Sequence, residues 1–185
     1  MSAIRLLDFA HDAAAHDGAA AVLVAAFAGI SPAWPDHAAG SAAIATYLAD
    51  DLLAYGAYVD DTLVAWIGAL PQYDGHAWEL HPLAVIPKFQ RKGIGRSLIE
   101  TLETALIGRG VSTIFVWSDD ETGTTSLGGQ SLYPEPLTVL PSLVSSPHHA
   151  GGFYRRCGYA LAGVIPDANG CGKHDFLYTK RLIEP

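Results

Sequence analysis

The segment Gln90-Arg91-Lys92-Gly93-Ile94-Gly95 constrains this chain more than any other stretch. It lies between an apolar run ending at Val85 and a repeat in which Ile94, Leu98, Leu102 and Leu106 recur every fourth residue. That repeat predicts an amphipathic helix over residues 93–108, with Arg96, Glu100 and Glu103 pointing away from its apolar stripe. The first N–H groups of a helix have no intrahelical acceptor, and the helix dipole adds positive potential there. Gly93 and Gly95 let an anion approach the backbone closely, and Arg91, Lys92 and Arg96 bring positive charge. A strand, a glycine turn and a helix in this order read as a pyrophosphate cradle or as an ordinary glycine-bearing helix start. No Gly-Lys-Ser/Thr closes the turn, and the third glycine of a dinucleotide fingerprint is missing, so neither of those nucleotide motifs is present.

The remaining elements point to a mixed α/β protein. Arg5–Asp8 reads as a first strand and residues 17–28 as an Ala-rich helix. A loop with two prolines spans residues 31–36, and Ser41 is the expected cap of a helix running to about Asp51. Leu53–Val59 and residues 63–70 form a predicted hairpin with Asp60-Asp61 at its turn. Ala77–Val85 reads as a strand, and Pro82 inside it implies an edge or a bulge. Past the strand at 113–117, residues 119–147 are polar and broken by Gly and Pro, a pattern associated with functional loops. A short helix at 153–157 and strands at 159–165 and 176–180 complete the pattern: strands, a strand-helix-strand crossover, then a final hairpin.

Composition narrows the partners. Nineteen Asp plus Glu against eleven Lys plus Arg give a formal charge of −8. Phosphate backbones need clustered cations, so no nucleic-acid partner is expected and a cationic substrate is favoured. The apolar run 19–30 is too short and too rich in Ala to span a bilayer, and the first ten residues carry Arg5 and Asp8 without an apolar leader. Two cysteines, Cys157 and Cys171, suggest no disulfide framework. A single cytoplasmic domain over residues 1–185, with no membrane partner, is the expectation. The His148-His149 pair with either cysteine fits no zinc spacing, so no metal is expected.

Several strings carry a family resemblance. Gln-x-x-Gly-x-Gly after a strand resembles the acetyl-CoA pyrophosphate motif of the GNAT acetyltransferases. The preceding Trp78-Glu79-Leu80-His81-Pro82-Leu83-Ala84-Val85 resembles the fourth strand of the aminoglycoside 6'-N-acetyltransferases. Pro71-Gln72-Tyr73, Ser118-Asp119-Asp120, Gly123-Thr124-Thr125-Ser126-Leu127, Leu132-Tyr133-Pro134 and Phe153-Tyr154 follow in the family's order, as does Gly163-Val164-Ile165-Pro166-Asp167-Ala168-Asn169-Gly170. Trp34-Pro35-Asp36 is similar to an early Trp-Pro segment of that family. The chain departs from it at Ser118, where a Thr is usual, and in the run Pro147-His148-His149-Ala150-Gly151-Gly152.

The resemblance implies a GNAT fold: a mixed central sheet, splayed at the acetyl-CoA site, with flanking helices. It implies acetyl-CoA as co-substrate on Arg91, Lys92, Gly93, Ile94, Gly95 and Arg96, with the backbone of Leu83 and Val85 along the pantetheine arm. Acetyl transfer needs a deprotonated amine, a polarised thioester carbonyl and a stabilised thiolate. Glu79 is the candidate for the amine and the N–H of Leu83, freed by a bulge near Pro82, for the carbonyl. Tyr154 is the candidate for the thiolate, since a phenol can donate to it. Asp119 and Asp120, at the carboxyl end of the strand after the crossover, suit a polycation or form a solvated acidic turn. Trp34 and Tyr73 offer aromatic walls to the substrate or pack in the core. The implied activity is acetylation of an aminoglycoside 6'-amine by direct attack in a ternary complex, giving antibiotic resistance, in a homodimer. A protein, peptide or polyamine acceptor, and a non-catalytic acyl-CoA-binding module, are the competing readings.

Overall fold

The computed structural model describes residues 5–8, 13–48 and 52–184. They form a mixed α/β fold in two compact units, Met1–Ser112 with Leu182–Pro185, and Thr113–Arg181.

In the first unit, β1 (Arg5–Asp8), β2 (Leu53–Val59), β3 (Thr62–Gln72) and β4 (Ala77–Val85) pair consecutively and antiparallel. The β2–β3 hairpin turns at Asp60 and Asp61 with φ of 47° and 58°, the left-handed pair that a two-residue turn needs to match strand twist. Leu63, Val64, Ala65, Trp66, Ile67 and Ala69 of β3 are all buried, which requires cover on both faces of that strand. Helix α1 (Ala13–Phe27) covers one of them with Ala19, Ala20, Val22 and Leu23, in one cluster with Trp66 and Ala84. The Trp66 indole N–H reaches the Ala19 carbonyl at 3.1 Å, so this large ring is buried with its donor satisfied.

Helix α1 begins at Ala13, before the expected Asp17. Helix α2 (His37–Ala45) also begins early, because Asp36 and not Ser41 is its cap. The Asp36 backbone is extended, and its carboxylate accepts the Ala39 N–H at 2.9 Å. A 3₁₀ turn, Thr46–Leu48, follows, and the expected end near Asp51 lies outside the described residues.

Helix α3 (Ile94–Gly108) packs on β2, β3 and β4 and buries the expected Ile94, Leu98, Leu102 and Leu106. It also buries Ile99 and Glu103, which corrects the expectation that Glu103 faces away. Glu103 lies one turn beyond Ile99, so burying the second row of the stripe carries both inward.

In the second unit β7 (Asp175–Arg181) lies between β5 (Thr113–Asp119) and β6 (Ala160–Ile165), antiparallel to both. Helices α4 (Pro136–Val139) and α5 (Gly151–Arg156) are short. Phe176 and Tyr178 of β7 are fully buried, so the apolar C-terminal segment spends its largest rings inside the protein. Among the described residues no helix is long and apolar enough to cross a membrane.

Candidate functional site

The glycine turn is built as a cradle. Arg91 and Gly93 both take positive φ, 58° and 88°, and Gly93 caps α3. The helical ladder opens with the Ser97 N–H donating to the Gly93 carbonyl at 3.0 Å. The amides of Ile94 and Gly95 precede that first rung, where a helix offers N–H groups to an anion. Arg91, Lys92, Gly93 and Arg96 are exposed. A Cβ built on Gly93 meets nothing within 4 Å, so the space before the turn is open to a ligand. The side chain of Gln90 donates to the Val85 carbonyl at 3.0 Å and fastens the turn to the end of β4. Lys88 and Lys92 stand 5.0 and 5.2 Å from the centre of the Phe89 ring, which gathers positive charge beside the cradle. A helix start, exposed cations and open space at Gly93 make an arrangement that could hold a diphosphate.

Strand β4 carries the expected irregularity. Leu83 faces Ile67 and Leu80 faces Ala69, so His81 and Pro82 stand against Gly68 alone. Two residues against one is a β-bulge, and it changes the parity of the strand. Glu79 pairs with Leu70 and Ala84 with Trp66, and Leu70 and Trp66 lie on one face of β3. Glu79 therefore shares a face with Ala84, five residues on, which a regular strand forbids. Leu83 is the first residue past the bulge to pair again. Glu79, Leu83 and Val85 are half-buried.

Around this bulge the first unit gathers other side chains. Trp34 packs its ring 4.6 Å from Phe27 and 5.9 Å from His81, half-buried in the loop before α2. Tyr73, in contrast, is 77% exposed in the turn between β3 and β4, at φ 51°. Tyr47, which no sequence signal singled out, is buried here and its hydroxyl donates to the His81 carbonyl. Burial raises the pKa of Tyr47 above the phenol range, and the nearby Glu79 carboxylate adds to the effect.

The second unit holds the other candidates. Asp119 is exposed at the end of β5 and accepts a hydrogen bond from the Asn169 side-chain amide at 2.5 Å. Asp120 is 1% exposed, with its carboxylate occupied. One oxygen accepts the N–H and hydroxyl of Thr124 at 2.5 and 3.1 Å, the other those of Thr125 at 3.1 and 2.6 Å. Burial alone would raise its pKa, but these bonds together outweigh burial and hold the carboxyl below its usual range. Asp120 thus ties the start of the long polar segment into a turn, a role separate from that of the exposed Asp119.

Tyr154 on α5 is 6% exposed, with the rings of Phe153, Tyr159 and Tyr178 at 5.4, 5.7 and 6.2 Å. Burial first, then Cys157, push its pKa up, so the phenol stays protonated at any working pH. His149 is buried too; its Nδ1 accepts the Gly151 N–H at 3.0 Å and burial lowers its basicity, while His148 is exposed. Cys157 and Cys171 are free thiols.

The glycine turn at the start of α3, fastened by Gln90 to the bulged strand that carries Glu79, lies within the span that a known family model matches. The model of the acetyltransferase (GNAT) family matches residues 23–133, and the chain belongs to that family. Among solved structures it is similar to an aminoglycoside 6'-N-acetyltransferase complexed with coenzyme A, at 29% identity over 98% of each chain and a TM-score of 0.87. It is likewise similar to the aminoglycoside 6'-N-acetyltransferase from Enterococcus faecium, at 30% identity over 99% of this chain and 98% of that one, TM-score 0.87. An aminoglycoside 6'-acetyltransferase type Ii matches at 26% identity over 99% of each chain with a TM-score of 0.73. No curated protein sequence matches the chain.

Proposed function

We propose that this acetyltransferase acts on the 6'-amino group of an aminoglycoside, by direct attack in a ternary complex, and that its role is antibiotic resistance. Residues 1–185 serve as one cytoplasmic acetyltransferase domain, working as a homodimer. The observation that carries the reading is the β4 bulge, with Glu79 before it and Leu83 directly after it. The relatives named above support the choice of acceptor.

Acetyl-CoA supplies an activated thioester carbonyl and a thiol leaving group. Arg91, Lys92, Gly93, Ile94, Gly95 and Arg96 hold its diphosphate, and the backbone of Leu83 and Val85 aligns its pantetheine arm. Glu79 holds the substrate ammonium and takes its proton, directly or through water, so that the amine nitrogen can bond the carbonyl carbon. The N–H of Leu83 donates to the carbonyl oxygen, where negative charge develops. As the carbon–sulfur bond breaks, the Tyr154 phenol donates a hydrogen bond to the departing thiolate, which takes up its proton from solvent. Asp119, on the turn organised by Asp120, holds a further ammonium, and Trp34 and Tyr73 offer flat faces to the sugar rings or their cations.

The test measures free CoA release with two aminoglycosides that differ only in an amine or a hydroxyl at the 6' position. Release with the amine alone is expected. Equal release with both refutes the regiochemistry. Release only with a basic peptide makes the chain a protein acetyltransferase, and acetyl-CoA binding without release to any amine makes it a binding module. Light scattering that finds a monomer at micromolar concentration refutes the homodimer.

A further inference from the structure

Tyr47 sits in the 3₁₀ turn after α2, far in sequence from the strand it touches, and is 3% exposed. Its hydroxyl donates to the carbonyl of His81, one of the two bulged residues. Its ring lies across Gly68, the single residue opposite the bulge. A Cβ built on Gly68 would stand 2.5 Å from Tyr47 Cε1 and 2.8 Å from the His81 oxygen, so only glycine admits this arrangement. The ring also meets Trp66 edge-on at 5.4 Å and 79°. Tyr47 is thereby held by the core and in turn holds the bulge.

A bulge disrupts the strand ladder locally, so the orientation of its peptide groups depends on contacts from outside the ladder. Tyr47 provides such a contact at the His81 carbonyl. The peptide planes on either side of that carbonyl lead to Glu79 in one direction and to the Leu83 N–H in the other. Glu79 lies on the Tyr47 face of the strand, and its carboxylate is near enough to disfavour ionisation of the phenol. A phenol that stays protonated remains a donor throughout the working pH range.

We propose that Tyr47 is a positioning residue for acetyl transfer: it pins the His81 carbonyl and so fixes the Leu83 N–H and the Glu79 carboxylate relative to each other. The inference rests on the acetyl-transfer reading above. Its role differs from plain core packing, because packing resides in the ring and positioning in the hydroxyl.

The test uses the full chain carrying Tyr47→Phe, which keeps the ring and removes the donor. Expected is a fall in kcat of about 10-fold or more, since small misplacement of reacting groups is costly. Acetyl-CoA affinity by calorimetry stays within about twofold, because the cradle at Gly93 is untouched. The ¹⁵N–¹H resonance of Leu83, followed as acetyl-CoA is added, shifts less in the variant than in the wild type. Gly68→Ala, whose added methyl must displace the Tyr47 ring, reproduces both the loss of kcat and the weakened Leu83 response. Wild-type kcat with an undiminished Leu83 response in Tyr47→Phe overturns the inference, as does a Tyr47→Phe chain that no longer folds, which would make the hydroxyl structural. A wild-type protein that releases no CoA with any amine sinks the acetyl-transfer reading and this inference with it. An active wild type beside an equally active variant sinks this inference alone.

Discussion

Asp120→Asn separates stability from substrate capture at the acidic pair. The Asp120 carboxylate accepts four hydrogen bonds, two from Thr124 and two from Thr125, and is 1% exposed. An asparagine oxygen can keep one threonine's pair. Its amide nitrogen then faces the other threonine, whose hydroxyl can turn to accept but whose backbone N–H cannot. One buried donor left unpaired costs about 1–3 kcal/mol, and the loss of charge on the remaining bonds brings the expected total to about 2–4 kcal/mol. At about 2–4 °C per kcal/mol for a chain of this size, the melting temperature at pH 7 should fall by about 4–16 °C. The pH dependence has a definite sign. The folded carboxyl is held below its unfolded pKa, so its stabilisation is present above about pH 4 and is lost as pH falls through the folded value. The gap between wild type and variant should therefore narrow in acid. Asp119→Asn, at an exposed position with one side-chain partner, should shift the melting temperature by less than about 3 °C while raising KM for the aminoglycoside. Differential scanning fluorimetry at pH 7 and in acid, beside steady-state kinetics, makes the comparison. An unchanged melting temperature for Asp120→Asn at pH 7, or a gap that widens in acid, refutes the reasoning.

Three further outcomes are expected. Gly93→Val places a branched side chain at φ 88° in the open space before the cradle, and should lower acetyl-CoA affinity by about 10-fold or more in calorimetry. Unchanged affinity would mean that the diphosphate lies elsewhere. Glu79→Gln should lower kcat/KM for the aminoglycoside by roughly 10²-fold if the carboxylate both anchors and deprotonates the amine; a variant as active as wild type removes it from the mechanism. If its phenol donates to the departing sulfur, Tyr154→Phe should lower kcat by about 10²–10³-fold with acetyl-CoA binding intact, and wild-type turnover would reduce Tyr154 to a member of its aromatic cluster.

Local chemistry made much of the first unit legible. The Asp60-Asp61 turn, the period-four stripe of α3 and the Gly93 turn are set by residues within a few positions of one another, because turn dihedrals and helical periodicity are local properties. Pro82 announced an interruption of β4, since a ring without an N–H cannot continue a ladder, and the bulge stands there. The helix starts were read less well. Asp36 and Ser41 are both competent caps, and the choice between them followed from where the extended backbone entered α2. Glu103 was misplaced because a period-four count marks one row of a helix face, whereas packing on β2, β3 and β4 buries two.

By itself the sequence determined the family, through the turn at Gln90–Gly95 and the strand that precedes it, because a glycine turn between a strand and a helix is written in consecutive residues. It also named Glu79 and Leu83, which that same strand carries. Only the tertiary structure decided which acidic residue is occupied and which is exposed, since Asp119 and Asp120 are adjacent and chemically identical but point to opposite environments. Only the tertiary structure brought in Tyr47, an unremarked tyrosine 21 positions before Gly68 and 34 before His81. Its role depends on a missing Cβ in one strand and the His81 carbonyl in the next, and no spacing along the chain encodes such a meeting.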